Sequence, residues 1–368
     1  MDSRSVWSLT GVAVRVAQAM GLDRDGTLLS LSPFETELRR RIWWLLRTHD
    51  FRTAELCGLP KYRELRLDPD STYGPTNIDD DQLQPDMEEL VGTTDKITQA
   101  SFVVFRHELL KFAADQIVRL RDQGKTLSQW ELHATNAFMD DIDKAIDDLE
   151  QLLETRYIRY CDPCQPLHLL VMLTARFAVN SARFLTHHPR RWKSGVSAAE
   201  QQFVWDLTIQ LLEQYHMVQT NPSLQRFAWH AAYFQQWHAL IHALDTLKGS
   251  PDVMHADKVW QLIASVYTNN PDMINDMRKP IYVAVGRLAV KAWDVKGADS
   301  ELEFLTRLRW RLDNTQPRHT RRGEQTVESR YFNDNSLEID MPLDVDLALD
   351  WQQWDDWLVE SSLLQPLQ

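Results

Sequence analysis

The stretch that decides the fold runs from Leu31 to Asp50 and reads LSPFETELRRRIWWLLRTHD. It predicts a helix, because Ser32 can cap, Pro33 suits the first helical position and Glu35 has the spacing of a capping box. Apolar residues recur at helical spacing and mark the face that is expected to pack, at Phe34, Leu38, Ile42 and Leu45.

The charged residues of this stretch form pairs of opposite sign. Glu35 with Arg39, and Glu37 with Arg41, stand four residues apart with the acidic member first, the favourable order on a helix. A helix that reads DNA would expose its arginines without neighbouring carboxylates. The stretch is therefore interpreted as structural, and no residue is assigned to DNA binding.

The remaining large side chains of the stretch complete this interpretation. Arg40 and Arg47 are expected to point away from the pairs and from the apolar stripe. Trp43 and Trp44 are adjacent, and at least one of them must lie near the core.

Helical periodicity continues on both sides of this stretch. Upstream, Gly21 supplies a natural stop for a helix whose apolar stripe is Leu9, Ala13, Val16, Ala17 and Met20. Downstream, the pattern predicts further helices over 167–186, 203–218, 224–247, 256–268, 279–295 and 299–312. Strand alternation is not sustained anywhere, and 12 glycines in 368 residues are few for a hairpin-rich fold. The sequence predicts an all-α, multi-helical fold.

Three segments follow from composition. Residues 1–312 form a helical domain, 313–340 a polar linker without periodicity, and 341–368 a tail rich in acidic and aromatic residues. In the tail, Trp351, Trp354 and Trp357 share one helical face. That face is interpreted either as a surface that folds onto a coactivator or as a terminal helix that docks on the domain.

Charge and cysteine content exclude several classes of protein. Forty Lys and Arg against 53 Asp and Glu give a net charge of −13, which repels nucleic acid unless a separate basic module is present. Three cysteines do not make a disulfide framework, and the N-terminus does not resemble a signal peptide. The most apolar stretch, LHLLVMLTARFAVNSARFL, contains His168, Arg176 and Asn180 and falls short of a spanning helix. The chain is expected to be intracellular and not to bind membranes.

No motif predicts an enzyme or a metal site. Cys161 and Cys164 form one CxxC, which is interpreted as a loop before a helix because a zinc site needs four ligands. His238 and His242 stand four apart without a completing glutamate and are interpreted as packed histidines. The rival hypothesis is a magnesium-dependent helical isoprenoid synthase, but the aspartates at 140–143 and 355–356 provide no convergent pair of clusters. No catalytic and no metal-ligating residue is assigned.

The first sixty residues resemble a known family, the fungal-specific transcription factor domain of binuclear zinc-cluster (Zn2Cys6) regulators. The resemblance rests on GVAVRVAQAMGLDRDG followed by LSPFETELRRRIWWLLRTHDFRTAELCGLP. The residues that fit the family pattern are structural rather than catalytic, and the main ones are Arg15, Gly21, Arg24, Asp25, Glu37, Arg39, Arg40, Arg41, Trp43, Trp44 and Asp50. PTNIDDDQLQP and DWQQWDDWLVE are similar to further blocks of the family. The resemblance implies the regulatory portion of an RNA polymerase II transcription regulator, acting in the nucleus.

The chain departs from the family pattern in two places. Asp23 replaces the usual histidine of the G-L-H-R-D motif. The six-cysteine run that binds two zinc ions is absent, so zinc and DNA contact are expected only through a module missing here, and the chain is expected to be N-terminally truncated.

The resemblance implies partners rather than substrates. Other transcription regulators, coactivators, a second copy of the chain and a small-molecule effector all fit the family. The alternative to a regulator's own regulatory portion is a truncated interaction module that pairs with full-length regulators without binding DNA.

Overall fold

The structure is a computed structural model that describes residues 3–56, 72–122, 136–187, 196–234, 237–297 and 301–314. Within these residues regular structure is helical, apart from a single bridge residue at Arg24, which confirms the all-α prediction. The α-helices are α1 Ser3–Ala19, α2 Pro33–Leu56, α3 Ser101–Asp122, α4 Asn136–Arg156, α5 Pro166–Thr186, α6 Ala198–Thr220, α7 Trp237–Gly249, α8 Ala256–Asn269, α9 Asp272–Asn275, α10 Pro280–Lys296 and α11 Glu303–Asn314. Short 3₁₀ helices lie at Gly26–Leu29, Asp80–Gln82, Ile158–Tyr160 and Pro222–Phe234. Most of the linker and the whole tail lie outside the described residues.

The glycine stop predicted after the first helix is confirmed. Gly21 has a φ of 67°, the left-handed conformation that favours glycine. Its amide donates to the carbonyl of Gln18 at 2.8 Å, and the Leu22 amide donates to Ala17 at 2.9 Å. These two bonds form a Schellman motif, which satisfies the last carbonyls of α1 and turns the chain toward α2.

Buried apolar side chains of the described residues gather in three clusters. One lies between α1, α2 and α3, a second between α3, α4 and α5, and the largest extends from α5 to α11. α3 contributes to the first two clusters and α5 to the last two. The shared helices join the clusters into one continuous interior.

α5 is the central helix of this interior. By length and composition alone it could cross a membrane, contrary to the prediction made from its polar residues. Eight of its residues are nevertheless buried inside the fold, among them Leu170, Val171 and Phe184. Such burial is typical of a core helix, which passes the same composition test.

The continuous helix predicted over 224–247 is wrong. A 3₁₀ helix spans Pro222–Phe234 and contains a non-helical residue at Phe227, and α7 begins at Trp237. Leu224, Phe227 and His230 stand three residues apart and are buried or packed against the largest cluster. Side chains three apart align in a 3₁₀ helix, so this spacing places all three on the inner side. The other predicted helices are confirmed within a few residues at each end, apart from the start of 203–218, which lies at Ala198.

Candidate functional site

The residues of the family motif meet where α1, α2 and the segment from Thr72 to Gln82 come together. At its centre, the fully buried Asp25 accepts two hydrogen bonds from Arg40, at 2.7 Å from Nε and 2.9 Å from Nη2. The Asp25 carboxylate also accepts bonds from the Thr27 amide and hydroxyl and from the Tyr73 amide. Burial raises the pKa of Asp25, but these bonds outweigh it and lower its pKa to about 2. Asp25 is therefore a charged, fully bonded group inside the protein.

A second buried carboxylate, Glu37, fixes the segment that follows α2. Glu37 accepts the Arg41 Nε at 2.9 Å, which confirms that predicted pair, and both of its oxygens accept the Thr76 amide. Arg41 donates further to Asp80 at 2.7 Å and to the Ile78 carbonyl at 3.2 Å. Glu37 and Arg41 together bind the Thr72–Gln82 segment to α2.

Arg39 closes the turn between α1 and α2. Its Nη2 donates to the carbonyls of Met20 and Gly21, each at 2.8 Å. The predicted ion pair between Glu35 and Arg39 does not form. Ser32 caps α2, since the Glu35 amide donates to the Ser32 hydroxyl at 3.2 Å. That hydroxyl donates to the Glu35 carboxylate at 3.2 Å, so the glutamate lies at the cap, but it accepts the hydroxyl rather than the Ser32 amide of a full capping box.

Both tryptophans of the motif are buried. Trp44 donates from Nε1 to the Tyr73 carbonyl at 2.8 Å, and its ring meets His107 edge to face at a centroid distance of 4.3 Å. The Arg47 guanidinium lies 5.7 Å above the Trp43 ring. The prediction that at least one of the two packs in the core is confirmed.

The predicted packing face of α2 is wrong. Leu38, Ile42 and Leu45 are more than one third exposed, and Phe34 is half-buried. The face that packs is more polar than the exposed one and consists of Thr36, Glu37, Arg40, Trp43, Trp44 and Thr48. Arg40 does point away from the apolar stripe, but into the interior, because its charge is compensated by Asp25.

The remaining motif residues are more accessible. Arg15 and Arg24 are exposed, and Asp50 is half-buried and accepts a bond from Arg47 at 3.4 Å. The structure thus brings together seven of the eleven motif side chains, with Gly21 as the turn on which Arg39 acts. We call Asp25, Glu37, Arg39, Arg40 and Arg41 the arginine cluster.

Several residues that complete the site have no local sequence signal. The amides of Tyr73 and Thr76 are recognised through backbone atoms, which no residue pattern encodes. Asn77 is different, because its side chain donates to the carbonyls of Thr93 and Lys96. The side-chain oxygen of Asn77, Oδ1, accepts hydrogen bonds from the hydroxyls of Thr98 and Ser101, each at 2.7 Å. The resemblance of PTNIDDDQLQP to a family block was the only signal that could have pointed to it.

The CxxC occupies the predicted loop before α5. Cys161 is half-buried and its Sγ lies 3.4 Å from the Tyr157 carbonyl, whereas Cys164 is exposed. Burial, together with the nearby Glu154 carboxylate, raises the pKa of Cys161 to about 11. The Cys161 thiol therefore stays protonated at neutral pH, the opposite of a reactive cysteine.

The histidines pack inside the fold or lie at a helix end. His242 is buried on α7, and its Nδ1 lies 2.9 Å from the Thr208 hydroxyl; burial lowers its pKa to about 4. The predicted packed histidine is confirmed at His242, and His238 is half-buried. His187 caps the end of α5 and lies between Asp143 of α4 and Glu200 of α6, at 3.0 and 2.5 Å. Over the described ranges, no group of three or more His, Cys, Asp or Glu side chains is arranged to hold a metal ion.

Acid should weaken the cluster through Asp25. Its pKa is lowered by folding, so its stabilisation is complete above about pH 4 and is lost as pH falls through about 2. The wild-type chain should therefore exceed the Asp25→Asn variant in unfolding free energy at pH 6 and lose about 2 kcal/mol of that advantage by pH 2. Urea titrations at several pH values measure the difference, and an advantage independent of pH would contradict it.

The geometry defines a structural class. Two buried carboxylates and three arginines fasten a helical hairpin to the segment after it, with every one of the three guanidinium groups bonded inside the protein. Residues 1–133 match the family model described as fungal specific transcription factor domain. The resemblance predicted from the motif is thereby confirmed for this region.

The similarity to transcription regulators extends beyond that region. The chain is 30% identical over 308 residues to the aurofusarin cluster transcription factor aurR2 of Gibberella zeae, covering 83% of this chain and 45% of that protein. It is 27% identical to the transcriptional regulator AacuB of Aspergillus aculeatus, over 80% of this chain and 40% of the relative. It is 22% identical to the C6 finger domain transcription factor hasF of Aspergillus fumigatus, over 67% of this chain and 34% of that relative. The chain spans less than half the length of these relatives, and no solved structure matches it.

Proposed function

We propose that this chain is the regulatory portion of a fungal RNA polymerase II transcription regulator, acting in the nucleus. It controls activity and partner contacts, and DNA is read by a zinc cluster outside this chain. The observation that carries the proposal is the match of residues 1–133 to the fungal domain, together with the similarity of most of this chain to transcription regulators such as aurR2 and AacuB. Because aurR2 is described as a cluster transcription factor, we extend the proposal to regulation of a biosynthetic gene cluster.

The arginine cluster supports a role other than direct DNA readout. The side chains of Arg40 and Arg41 are only 10% and 18% exposed, and both are bonded to buried carboxylates. Releasing them to contact phosphate would leave Asp25 and Glu37 charged and unpaired inside the protein, which costs several kcal/mol. A helix that must keep its arginines inside is suited to holding the hairpin rather than to reading bases.

We propose that the tail is the segment that contacts coactivators. Residues 332–368 contain nine carboxylates and no Lys or Arg, and Trp351, Trp354 and Trp357 stand three residues apart. Acidic segments with regularly spaced aromatic residues suit binding to the groove of a coactivator. The tryptophans would supply the apolar anchors and the carboxylates would keep the segment soluble.

A reporter assay tests the proposal. The full chain is fused to a heterologous DNA-binding domain in a fungal host that carries the matching reporter gene. We expect reporter transcription to rise above that of the DNA-binding domain alone and to fall at least about fivefold when Trp351, Trp354 and Trp357 are all changed to alanine. A matched variant, W229A/W310A, removes two tryptophans that are more than 60% exposed in the domain and should leave the reporter unchanged.

Two outcomes would overturn parts of the proposal. Reporter output equal to that of the DNA-binding domain alone would remove the activating role of the tail. A gel shift with the purified chain alone addresses DNA contact, and sequence-specific binding without added zinc-cluster protein would contradict the assignment of DNA reading to another module.

A further inference from the structure

The hairpin of α1 and α2 carries an exposed apolar surface on the side away from the core. On α1 and the turn residue directly after it the surface contains Leu9, Val12, Val16 and Met20, which are 54–62% exposed. On α2 it contains Leu38, Ile42 and Leu45, which are 37–48% exposed. We call these seven residues the outer face. The spacing of three, four or seven residues on each helix places each set in one row.

The helices that carry the two rows lie side by side. Arg39 holds the carbonyls at the end of α1, and residues earlier in α1, such as Val14, share a buried cluster with Trp43 and Trp44. The helices are therefore antiparallel neighbours, with each row on the side opposite its buried residues. Val16 and Ile42 fall near the middle of the combined surface.

The surface is concentrated rather than scattered. Of the 19 large apolar side chains that are exposed among the described residues, ten lie before residue 46, and seven of these form the outer face. Single exposed apolar residues are ordinary, but rows of exposed apolar residues on two neighbouring helices mark a site of contact. Of the predicted α1 stripe, Leu9, Val16 and Met20 face outward, whereas Ala17 lies in the core. Of the predicted α2 stripe, Leu38, Ile42 and Leu45 face outward.

The charge of α1 distinguishes between two molecules that could cover the outer face, the chain's own tail and a second copy of the chain. α1 and the residues up to Leu22 carry Arg4 and Arg15 and no carboxylate. The tail, residues 341–368, carries six carboxylates and no basic residue, so it complements this helix. A second copy of the same face would bring arginine against arginine, which is unfavourable. The charge pattern thus favours the tail over self-association.

The chain is long enough for the tail to arrive there. Residues 315–340 separate the end of α11 from Met341, and 26 residues reach about 85 Å when extended. A domain of about 310 residues has a radius of gyration of about 20 Å. The tail can therefore reach any point on the domain surface, wherever α11 ends.

We propose that the outer face of α1 and α2 is an intramolecular docking surface for the chain's own acidic, tryptophan-rich tail, residues 341–368. Trp351, Trp354 and Trp357 cover the apolar rows, and the neighbouring aspartates face the arginines of α1. Docking withdraws the same tryptophans that a coactivator would use, so the two contacts exclude each other. The docking itself does not depend on the proposed function, since it is a contact within one chain.

Fluorescence anisotropy tests the docking directly. A fluorescein-labelled peptide of residues 338–368 is titrated with the full chain carrying W351A/W354A/W357A, whose own tail no longer competes. We expect saturable binding, and an apparent affinity at least about tenfold weaker for the unsubstituted chain, because a tethered tail has a high effective concentration. Adding V16E/I42E to the triple variant should weaken peptide binding at least about tenfold, and raising the salt concentration should weaken binding to the triple variant.

Controls separate docking from other outcomes. M217E/V295E places the same charges on exposed positions of α6 and α10 and should leave peptide binding unchanged. If V16E/I42E lowers the helical circular dichroism, L9Q/L45Q replaces it as a milder variant of the same face.

Unchanged binding by both outer-face variants, or no saturable binding to the triple variant, overturns the proposal. A dimer in sedimentation equilibrium that V16E/I42E dissociates would assign the face to a second copy and also overturn it. Because these measurements use no reporter gene, their failure is distinguishable from failure of the proposed function.

Discussion

Replacing Arg40 by methionine is expected to lower the free energy of unfolding by about 3–5 kcal/mol. Arg40 is only 9% exposed, and Asp25 is fully buried. The substitution leaves the Asp25 carboxylate inside the protein with the Thr27 and Tyr73 donors but without a compensating charge. Methionine fills most of the arginine's volume, so the loss reports the charge rather than a cavity. Urea unfolding followed by circular dichroism measures it.

Two comparison variants make this prediction specific. Arg24→Met removes an exposed arginine of the same motif and should change stability by no more than about 0.5 kcal/mol. Arg40→Met made in an Asp25→Asn background should cost less than in the wild type, because no buried charge is then left unpaired. Equal costs for Arg40 and Arg24, or strict additivity with Asp25→Asn, would show that the buried ion pair does not hold the hairpin.

The local features of the arginine stretch were predictable from sequence. The Ser32 cap of α2, the Glu37–Arg41 pair and the stop at Gly21 are all present. Each depends on residues within a few positions of one another, where helix geometry alone sets the distances. The Glu35–Arg39 pair does not form, because the Glu35 carboxylate accepts the Ser32 hydroxyl and Arg39 donates to the carbonyls of Met20 and Gly21.

The direction in which α2 faces could not be predicted in this way. Periodicity assigns the apolar row to the core, but it does not reveal a carboxylate that neutralises a buried arginine. Asp25 lies 15 residues before Arg40, and the Thr76 amide lies 39 residues after Glu37. These long-range partners remove the penalty of burying charge, so the polar face turns inward and the apolar row outward. The family resemblance identified the residues without indicating this orientation.

The 3₁₀ helix illustrates a second limit. Residues 224–247 contain enough apolar positions to match a helical period of 3.6, and the same residues also match a period of three. Short windows do not separate the two periods, and packing of His230 and Phe234 against the core decided between them.

The second large effect is expected at Trp44, where replacement by alanine should cost about 3–5 kcal/mol. Trp44 is 2% exposed, packs in the cluster between α1, α2 and α3, and holds the Tyr73 carbonyl at 2.8 Å. Alanine removes the ring and leaves that carbonyl without its donor. Trp44→Phe keeps most of the ring and should cost about 1–3 kcal/mol, which separates the hydrogen bond from the packing. Trp229→Ala, at a tryptophan that is 65% exposed, is the matched control and should cost less than about 0.5 kcal/mol.

His107 provides a local readout of the same substitution. Burial, together with the nearby Lys111 ammonium, lowers the pKa of His107 to about 4. Because the Trp44 ring lies edge to face with the imidazole at 4.3 Å, its removal admits water to the histidine. The pKa of His107 should then rise toward 6.5 in Trp44→Ala, while remaining near 4 in Trp229→Ala. NMR titration of the histidine ring protons measures this pKa. A large loss of stability with an unchanged His107 pKa would contradict this. It would mean that the site collapses around the missing ring, so that Trp44 stabilises the fold by filling volume and not by excluding water from the junction of α2 and α3.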